Sequence, residues 1–298
     1  MEKLTNCPIC GSGESSPLLK AEDHTVSRET FQIAQCKSCG FRFTNPRPKA
    51  EELGAYYLSE DYLSHSNRSK GIIAKLYMMV RRRTIKKKVS MINELNKANE
   101  RSLLDIGCGT GEFLKAVSTV KWACTGVEPS VIARGIAQKQ HRLNVIEEIG
   151  LDKLEGGQFD VITMWHVLEH VSLLNERIIQ VKRLLKPGGS FVVAVPNCTS
   201  YDAKIYGEFW AAWDVPRHLY HFTPEDIGRL MSKHGLRIEK TLPMTYDAYY
   251  VSILSEKYKT GSISLFRSTW NGFKSNLAAR KAPGTHSSQI YIIKAQEP

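Results

Sequence analysis

Short apolar runs alternate with stretches of helical periodicity over most of this chain of 298 residues. The runs have the length and the content of β-branched residues that favour buried strands. Six strands are predicted in this way, at residues 102–106, 122–127, 159–164, 190–195, 236–242 and 289–295. Helices are predicted after three of them, at residues 112–120, 173–185 and 223–234. Strands that alternate with helices predict an α/β fold with a largely parallel sheet.

Glycine and proline mark the ends of several predicted elements. Residues 186–189, Lys-Pro-Gly-Gly, are predicted to end a helix, because proline breaks a helix and glycine accepts the left-handed cap. Thr223 is predicted to cap the start of the next helix, and Gly235 to end it. Residues 249–279 are also predicted to be helical, and a further helix is predicted at residues 50–57.

Four cysteines form two C-x-x-C-G pairs near the start of the chain. They are Cys7, Cys10, Cys36 and Cys39. The glycine after each pair lets backbone amides turn toward the sulfurs, so the spacing predicts a zinc site in a small ribbon at residues 1–48. Four thiolates leave no open position for substrate, which indicates a structural ion. Iron, or disulfides in a secreted protein, are the alternatives; a signal-like leader is absent, which disfavours disulfides.

The net charge of +11 is concentrated in one segment. Residues 68–88 hold nine basic and no acidic side chains, with apolar residues at helical spacing between them. A basic helix is therefore predicted within a connector at residues 49–98. Its basic face is either solvated or docks on anionic lipid or RNA phosphate. No apolar run approaches the ~20 residues that span a bilayer, so we expect a cytoplasmic protein, with peripheral membrane contact through residues 68–88 as one alternative.

A glycine-rich turn follows the first predicted strand. It contains Asp105, Gly107, Gly109 and Gly111, and Glu128 ends the next strand. Glycines at alternate positions let the backbone turn sharply and approach a ligand. A carboxylate at the end of the second strand can accept hydrogen bonds from ribose hydroxyls. The dinucleotide fingerprint is spaced G-x-G-x-x-G, so the spacing found here disfavours NAD.

This turn resembles motif I of the class I S-adenosylmethionine-dependent methyltransferases, and the resemblance continues through FDVITMWHVLEHV and RLLKPGG. It implies an enzyme with a seven-stranded Rossmann-like sheet over residues 99–298 and S-adenosylmethionine as its cofactor. The glycine turn would lie under the methionine part of the cofactor, and Glu128 would hold the ribose. Further cofactor contacts are expected from Pro129, Glu147, Trp165 and His166.

The sequence WHVLEH at residues 165–170 follows the strand predicted at 159–164. It resembles the MEVLEH segment of ubiquinone O-methyltransferases, in which two glutamates and a histidine serve a divalent metal. His166 replaces the first glutamate, whereas Glu169 and His170 match. The replacement puts a magnesium site of oxygen ligands in doubt. Either these three side chains hold a metal, or His166 lines the cofactor pocket while the other two cap a helix.

Residues 198–224 are predicted to form an insertion above the sheet, where loops commonly carry binding groups. Transfer of a methyl group to a hydroxyl requires a proton acceptor, and histidine suits that role near neutral pH. His218 is predicted to be this base, with His221 and then His166 as the other candidates.

The cysteine pairs, the TNPRP connector and the segment WDVPRHLYHFTPE together resemble bacterial methyltransferases of sugar and polysaccharide biosynthesis. This resemblance implies O-methylation of a small hydroxylated acceptor, such as a sugar or a lipid-linked saccharide, with C-methylation as an alternative. The expected substrate contacts are Tyr62, His65, Trp213, Asp214, Arg217 and Tyr220. An RNA base methyltransferase and a non-catalytic docking protein are the weaker interpretations.

Overall fold

The computed structural model describes residues 1–57 and 72–296, with the side chains of residues 72–77 left out, and it contains two β-sheets. The strands are β1 (Ser15–Glu22), β2 (Thr30–Cys36), β3 (Arg42–Thr44), β4 (Ser102–Ile106), β5 (Ala123–Val127), β6 (Asn144–Ile146), β7 (Phe159–Trp165), β8 (Leu185–Pro196), β9 (Tyr220–His221), β10 (Leu236–Pro243) and β11 (Ser288–Ala295). The α-helices are α1 (Ile72–Leu95), α2 (Glu112–Ser118), α3 (Val131–His141), α4 (Leu174–Leu184), α5 (Tyr201–Tyr206), α6 (Pro224–Lys233), α7 (Asp247–Thr260) and α8 (Leu265–Lys281). The predicted substrate contacts Tyr62 and His65 lie outside the described residues.

The larger sheet has seven strands in the order β10-β11-β8-β7-β4-β5-β6, which confirms the predicted α/β architecture. Strands β4 to β8 are parallel, and β11 runs antiparallel between β8 and β10. Val161, Ile162 and Met164 of β7 are fully buried, because helices cover both faces of the sheet. Burial of each such side chain stabilises the fold by ~1.5–3 kcal/mol relative to exposure.

Three local predictions differ from the structure. The helix before the Lys-Pro-Gly-Gly segment ends at Leu184, within one residue of the prediction, but its cap residue Leu185 is extended and not left-handed. The segment itself bulges out of β8, so that Phe159 pairs with Leu185 and Val161 with Ser190. Strand β6 was missed, because three residues are too few to show a period. The helix predicted at 50–57 is a 3-10 helix at Leu53–Tyr57.

The smaller sheet joins distant parts of the chain. Its order is β1-β2-β3-β9, in which the first three strands come from the cysteine-containing N-terminal part and β9 comes from the insertion at residues 198–224. Arg42 pairs with His221, and Phe43 with Tyr220. The division of the chain at residue 48 stays a prediction, and this sheet crosses it.

The fold brings the predicted site to one edge of the large sheet. Strands β5 and β7 lie on opposite sides of β4, so the glycine turn after β4 stands at the point where the strand order reverses, which is where ligands bind in such sheets. The carboxyl ends of β7 and β8 lead to His166 and to the insertion. Among the described residues, no helix is both long and apolar enough to cross a membrane.

Candidate active site

The glycine-rich turn between β4 and α2 holds three left-handed glycines, with φ values of 76°, 56° and 86° at Gly107, Gly109 and Gly111. A Cβ atom at Gly107 would collide with Val167, and one at Gly111 would lie 2.7 Å from Leu143 Cδ1. A Cβ atom at Gly109 would meet no described atom within 4 Å. Packing therefore requires the outer two glycines, whereas Gly109 faces open space that a ligand can occupy.

Glu128 lies at the end of β5 beside this turn. Its Oε2 accepts a hydrogen bond from the Gly109 amide at 2.8 Å, and its Oε1 accepts one from the Ser130 amide at 2.9 Å. Burial raises the pKa of this carboxyl group, and the two amide bonds oppose the rise. Each carboxylate oxygen keeps a lone pair for a further donor, so Glu128 fits a ribose diol.

Two other predicted cofactor residues are held by one arginine. Arg134 donates to the carbonyl oxygens of Glu128 and Pro129 at 2.7 and 3.1 Å, and to Glu147 Oε1 at 2.7 Å. The Glu147 carboxylate is thus engaged in an ion pair with Arg134 in this structure. The arginine fixes the rim of the cleft next to Glu128.

Lys88 belongs to the basic segment at residues 68–88, but it turns toward the site. Its Nζ lies 3.9 Å from the centroid of the Trp165 ring. Burial lowers the pKa of Lys88 to about 8, although the carboxylates of Asp247 and Asp105 favour its charged form. Lys88 precedes the fully buried Ile92 by one helical turn and shares its inward side, and this spacing was the available signal.

Asp105 lies beneath the turn and is buried. Its Oδ1 accepts a hydrogen bond from Thr163 Oγ1 at 2.6 Å. Burial raises the pKa of Asp105 to about 7, and the hydrogen bond from Thr163 and the charge of Lys88 oppose that rise. The carboxyl group therefore ties the end of β4 to β7, directly before the turn.

A cavity of about 330 Å³ opens between the sheet edge, the insertion and α7. One wall is apolar and contains Val251 and Leu254 from α7. The polar lining contains His166, Asp214, Arg217, His218 and Asp247. A cavity with one apolar wall and one polar wall fits a molecule that has an apolar body and one reacting polar group.

His166 follows β7 with a left-handed φ of 56°. Its Nε2 lies 3.0 Å from Asp247 Oδ2, and its Nδ1 lies 3.4 Å from Glu169 Oε1. Burial lowers the pKa of His166, but the two carboxylates outweigh burial and raise the pKa to about 9. Its role as a proton acceptor is therefore disfavoured, because the ring is already cationic at neutral pH.

His218 is placed differently in the same cavity. Its Nδ1 lies 2.8 Å from the carbonyl oxygen of Ala212, which only accepts, so we assign the proton to Nδ1. The bare Nε2 lies 3.8 Å from Asp214 Oδ2 and 4.0 Å from Glu169 Oε1. This nitrogen can take a proton, and the two carboxylates would stabilise the resulting cation.

Asp214 is held in place by a buried guanidinium. Arg217 donates from Nη2 to Asp214 Oδ1 at 2.6 Å and to Asp23 Oδ1 at 3.1 Å. Burial raises the pKa of Asp214, but the charge and hydrogen bonds of Arg217, together with the neighbouring His218 and His170, outweigh burial and lower the pKa. Both predicted substrate contacts line the cavity, and Arg217 also links the insertion to the N-terminal part of the chain.

Three residues predicted near the substrate face the N-terminal sheet instead. His221 is buried with Nε2 3.1 Å from Thr44 Oγ1, and burial places its pKa well below the usual value. Tyr220 donates its hydroxyl hydrogen to the carbonyl oxygen of Ser172 at 3.0 Å, and Trp213 donates to the carbonyl oxygen of Gly207 at 2.8 Å. None of the three lines the cavity, so a catalytic role for His221 is not favoured.

Glu169 lies at the centre of a histidine cluster. Its carboxylate is buried, and neither oxygen has a hydrogen-bond partner among the described residues. Glu169, His170 and His218 each offer a ligand atom, and these atoms lie within 4.8 Å of one another. The set differs from the one considered in the sequence analysis, because His166 is bound to Asp247 and His218 takes its place. Two imidazoles and a carboxylate suit a transition metal better than magnesium.

Comparison with known proteins identifies the family of this chain. Residues 79–241, more than half of the chain, match the family model described as a methyltransferase domain. The chain belongs to this family. The sheet topology and the family match together make it a class I S-adenosylmethionine-dependent methyltransferase, as the glycine motif predicted.

Several relatives of this methyltransferase carry the name ubiquinone biosynthesis O-methyltransferase. The protein from Thiobacillus denitrificans is 27% identical over an alignment of 160 residues that covers 49% of this chain and 69% of the relative. The protein from Nitrosococcus oceani is 27% identical over an alignment of 182 residues that covers 57% of this chain and 75% of the relative. Neither supports the sugar acceptor that the sequence resemblance implied.

Solved structures show the same fold as this methyltransferase. Geranyl diphosphate methyltransferase in complex with S-adenosylmethionine has a TM-score of 0.55 at 15% identity, covering 79% of this chain and 95% of its own. A methyltransferase from Archaeoglobus fulgidus has a TM-score of 0.50 at 20% identity, covering 72% of this chain and 94% of its own.

The four N-terminal cysteines of the methyltransferase converge on one point. The Sγ atoms of Cys7 and Cys39 are 3.6 Å apart, and those of Cys10 and Cys36 are 3.5 Å apart. All four thiols are free, and the four sulfurs lie within 4.8 Å of one another. Four sulfurs at such distances fit a tetrahedral zinc ion.

Proposed function

We propose that this methyltransferase transfers the methyl group of S-adenosylmethionine to an oxygen of a small molecule held in the cavity, with His218 as the proton acceptor. The observation that carries the proposal is the position of His218, which lines the cavity and has its Nε2 within 4.0 Å of the carboxylates of Asp214 and Glu169. The names of the relatives support oxygen as the atom methylated.

The cofactor is expected to lie against the glycine turn. Gly109 leaves open space for it, Glu128 would accept hydrogen bonds from its ribose hydroxyls, and Lys88 would face its carboxylate. The cofactor supplies a methyl group that is already activated as a sulfonium, so the protein mainly has to align the reactants.

In the reaction, the acceptor oxygen attacks the methyl carbon as the carbon–sulfur bond breaks. The proton of the acceptor hydroxyl passes to His218 Nε2, and S-adenosylhomocysteine leaves. The carboxylates of Asp214 and Glu169 stabilise the imidazolium that forms. His166 contributes a positive charge beside the cavity and does not take the proton.

The acceptor that best fits the cavity has a hydroxyl group on an apolar or aromatic body. Val251, Leu254 and Tyr258 supply an apolar wall, which suits such a body better than a fully hydroxylated sugar. This acceptor replaces the saccharide implied by the sequence resemblance as the leading candidate.

We also propose that the cysteine site holds one structural zinc ion. The ion would stabilise the N-terminal part, which supplies β3 and through it supports β9 and the segment that carries His218. No step of methyl transfer involves this ion.

The test is a methylation assay with radiolabelled S-adenosylmethionine and three acceptor panels: hydroxybenzoates, alkylated catechols and nucleotide sugars. We expect labelled aromatic ethers, located at oxygen by mass spectrometry, and loss of labelling in His218→Gln. His141→Gln is the matched control, since His141 lies on α3 and outside the cavity. Turnover of the sugars alone would refute the proposed acceptor, and full activity of His218→Gln would refute the proposed base.

A further inference from the structure

Helix α8 presents its large apolar side chains to solvent. Phe266 is 82% exposed, Trp270 50%, Phe273 47% and Leu277 42%. The spacing of these residues places them on one side of the helix, and we call them the outer face of α8. Trp270 and Phe273 stack with ring centroids 5.8 Å apart, so these two rings form one apolar surface at the middle of the face.

The opposite side of α8 shows why these residues point outward. It consists of small residues that are buried, namely Ser268, Gly272, Ser275 and Ala279. A Cβ atom at Gly272 would lie 2.7 Å from Tyr249 Cδ1 of α7, and Ser275 Oγ donates to Asp202 Oδ1 at 2.6 Å. The helix packs through its small side and cannot rotate to bury the large one. Exposed aromatic patches of this kind mark interaction surfaces.

The charge of α8 indicates the chemistry of the partner. The helix contains Arg267, Lys274, Arg280 and Lys281 and no acidic residue. Lys274 Nζ lies 5.3 Å from the centroid of the Trp270 ring, so a cation borders the apolar surface directly. A second copy of the chain docked through the same face would bring like charges together. An anionic lipid surface complements both the charge and the apolar face, because tryptophan and basic residues together favour the membrane interface.

We propose that the outer face of α8 docks on an anionic phospholipid membrane. This surface differs from the basic segment at residues 68–88, which the sequence analysis considered for membrane contact. Docking itself does not depend on the proposed function.

One consequence does rest on that function. Helix α7 packs against α8 and contributes Val251 and Leu254 to the cavity wall. The docked enzyme would therefore hold its acceptor cavity beside the membrane, where an acceptor with a long apolar tail is dissolved.

The test is sedimentation of the full chain with vesicles of phosphatidylcholine alone or mixed with phosphatidylglycerol, without cofactor or acceptor. We expect binding to the mixed vesicles, at least tenfold weaker binding to phosphatidylcholine, and at least tenfold weaker binding of a Trp270→Ser, Phe273→Ser double variant. Ile179→Ser is the matched control, since Ile179 is 56% exposed on α4 and should not affect binding. Circular dichroism and binding of S-adenosylhomocysteine verify that each variant is folded.

Three results would overturn the proposal. The first is undiminished vesicle binding by the double variant. The second is loss of vesicle binding in an Arg82→Glu, Lys86→Glu variant while the Trp270→Ser, Phe273→Ser variant still binds, which would assign docking to α1. The third is a dimer in light scattering that the double variant abolishes, with no vesicle binding by the parent chain. Failure of methyl transfer with intact vesicle binding would refute only the proposed function.

Discussion

Replacement of Gly109 by alanine should weaken cofactor binding while it changes the stability of the fold only slightly. At this position the backbone is left-handed, with φ of 56°, and an added methyl group would meet no described atom within 4 Å. The free energy of unfolding should fall only by the cost of placing alanine in the left-handed region, about 1 kcal/mol. This change lowers Tm by about 2–4 °C. The methyl group would instead occupy the space assigned to the cofactor.

Overpacking of a fitted site costs about 1–3 kcal/mol, so the affinity for S-adenosylmethionine should fall about 5- to 150-fold. Calorimetric titration measures this loss, and a thermal melt measures the stability. Gly157→Ala is the control, since Gly157 has φ of 67° and equally open surroundings but lies in a distant turn. It should lose similar stability and no affinity.

The result that would refute the reasoning is normal cofactor binding by Gly109→Ala together with the expected loss of stability. The cofactor would then lie elsewhere. Gly107→Ala gives a contrast, because its methyl group would collide with Val167. We expect that variant to lose both stability and cofactor affinity, because the collision with Val167 distorts the turn itself.

Three further predictions concern the histidines and the metal. His218→Gln should lower kcat about 100-fold or more with cofactor affinity unchanged, measured by single-turnover kinetics; a loss confined to KM would contradict a proton-accepting role. The pKa of His166 is raised to about 9 in the folded state. The ion pairs of the charged ring therefore contribute their full stability to the fold below pH 6.5, the usual pKa of histidine, and this contribution is lost as the pH rises through 9. Melts from pH 6 to 10 should therefore decline less steeply in His166→Gln, and parallel curves would contradict this. Elemental analysis should find one zinc per chain, absent in Cys36→Ser; a second metal that persists in that variant but is lost in His218→Ala would place a metal, rather than a proton, at His218.

The sequence was informative where chemistry depends on local spacing. The turn from Asp105 to Gly111 and the acid Glu128 could be found because strand, turn, helix and strand follow one another directly. The cysteine pairs could be found for the same reason. Each signal is complete within a short stretch of chain, so no knowledge of distant contacts was needed.

The errors arose where a role depends on distant pairing. Tyr220 and His221 belong to a strand of two residues whose partner, β3, lies near the start of the chain. Their sequence gives no sign of that pairing, so His221 stayed the second candidate for the base after His218, although of the two only His218 lines the cavity. Lys88 was overlooked because other basic residues precede it directly, although its spacing to the buried Ile92 places it on the inward side of α1.

The contact between β3 and β9 would couple the proposed zinc site to the proposed acceptor site thermodynamically. Thr44 Oγ1 donates to the carbonyl oxygen of His218 at 2.7 Å, and the Thr44 amide donates to the carbonyl oxygen of Leu219 at 3.0 Å. A metal ion that orders the N-terminal sheet would thus also order the segment that carries His218. Because coupling between two binding equilibria is reciprocal, an acceptor held by His218 should raise the affinity of the cysteines for their metal by the same factor by which the metal raises the affinity for the acceptor.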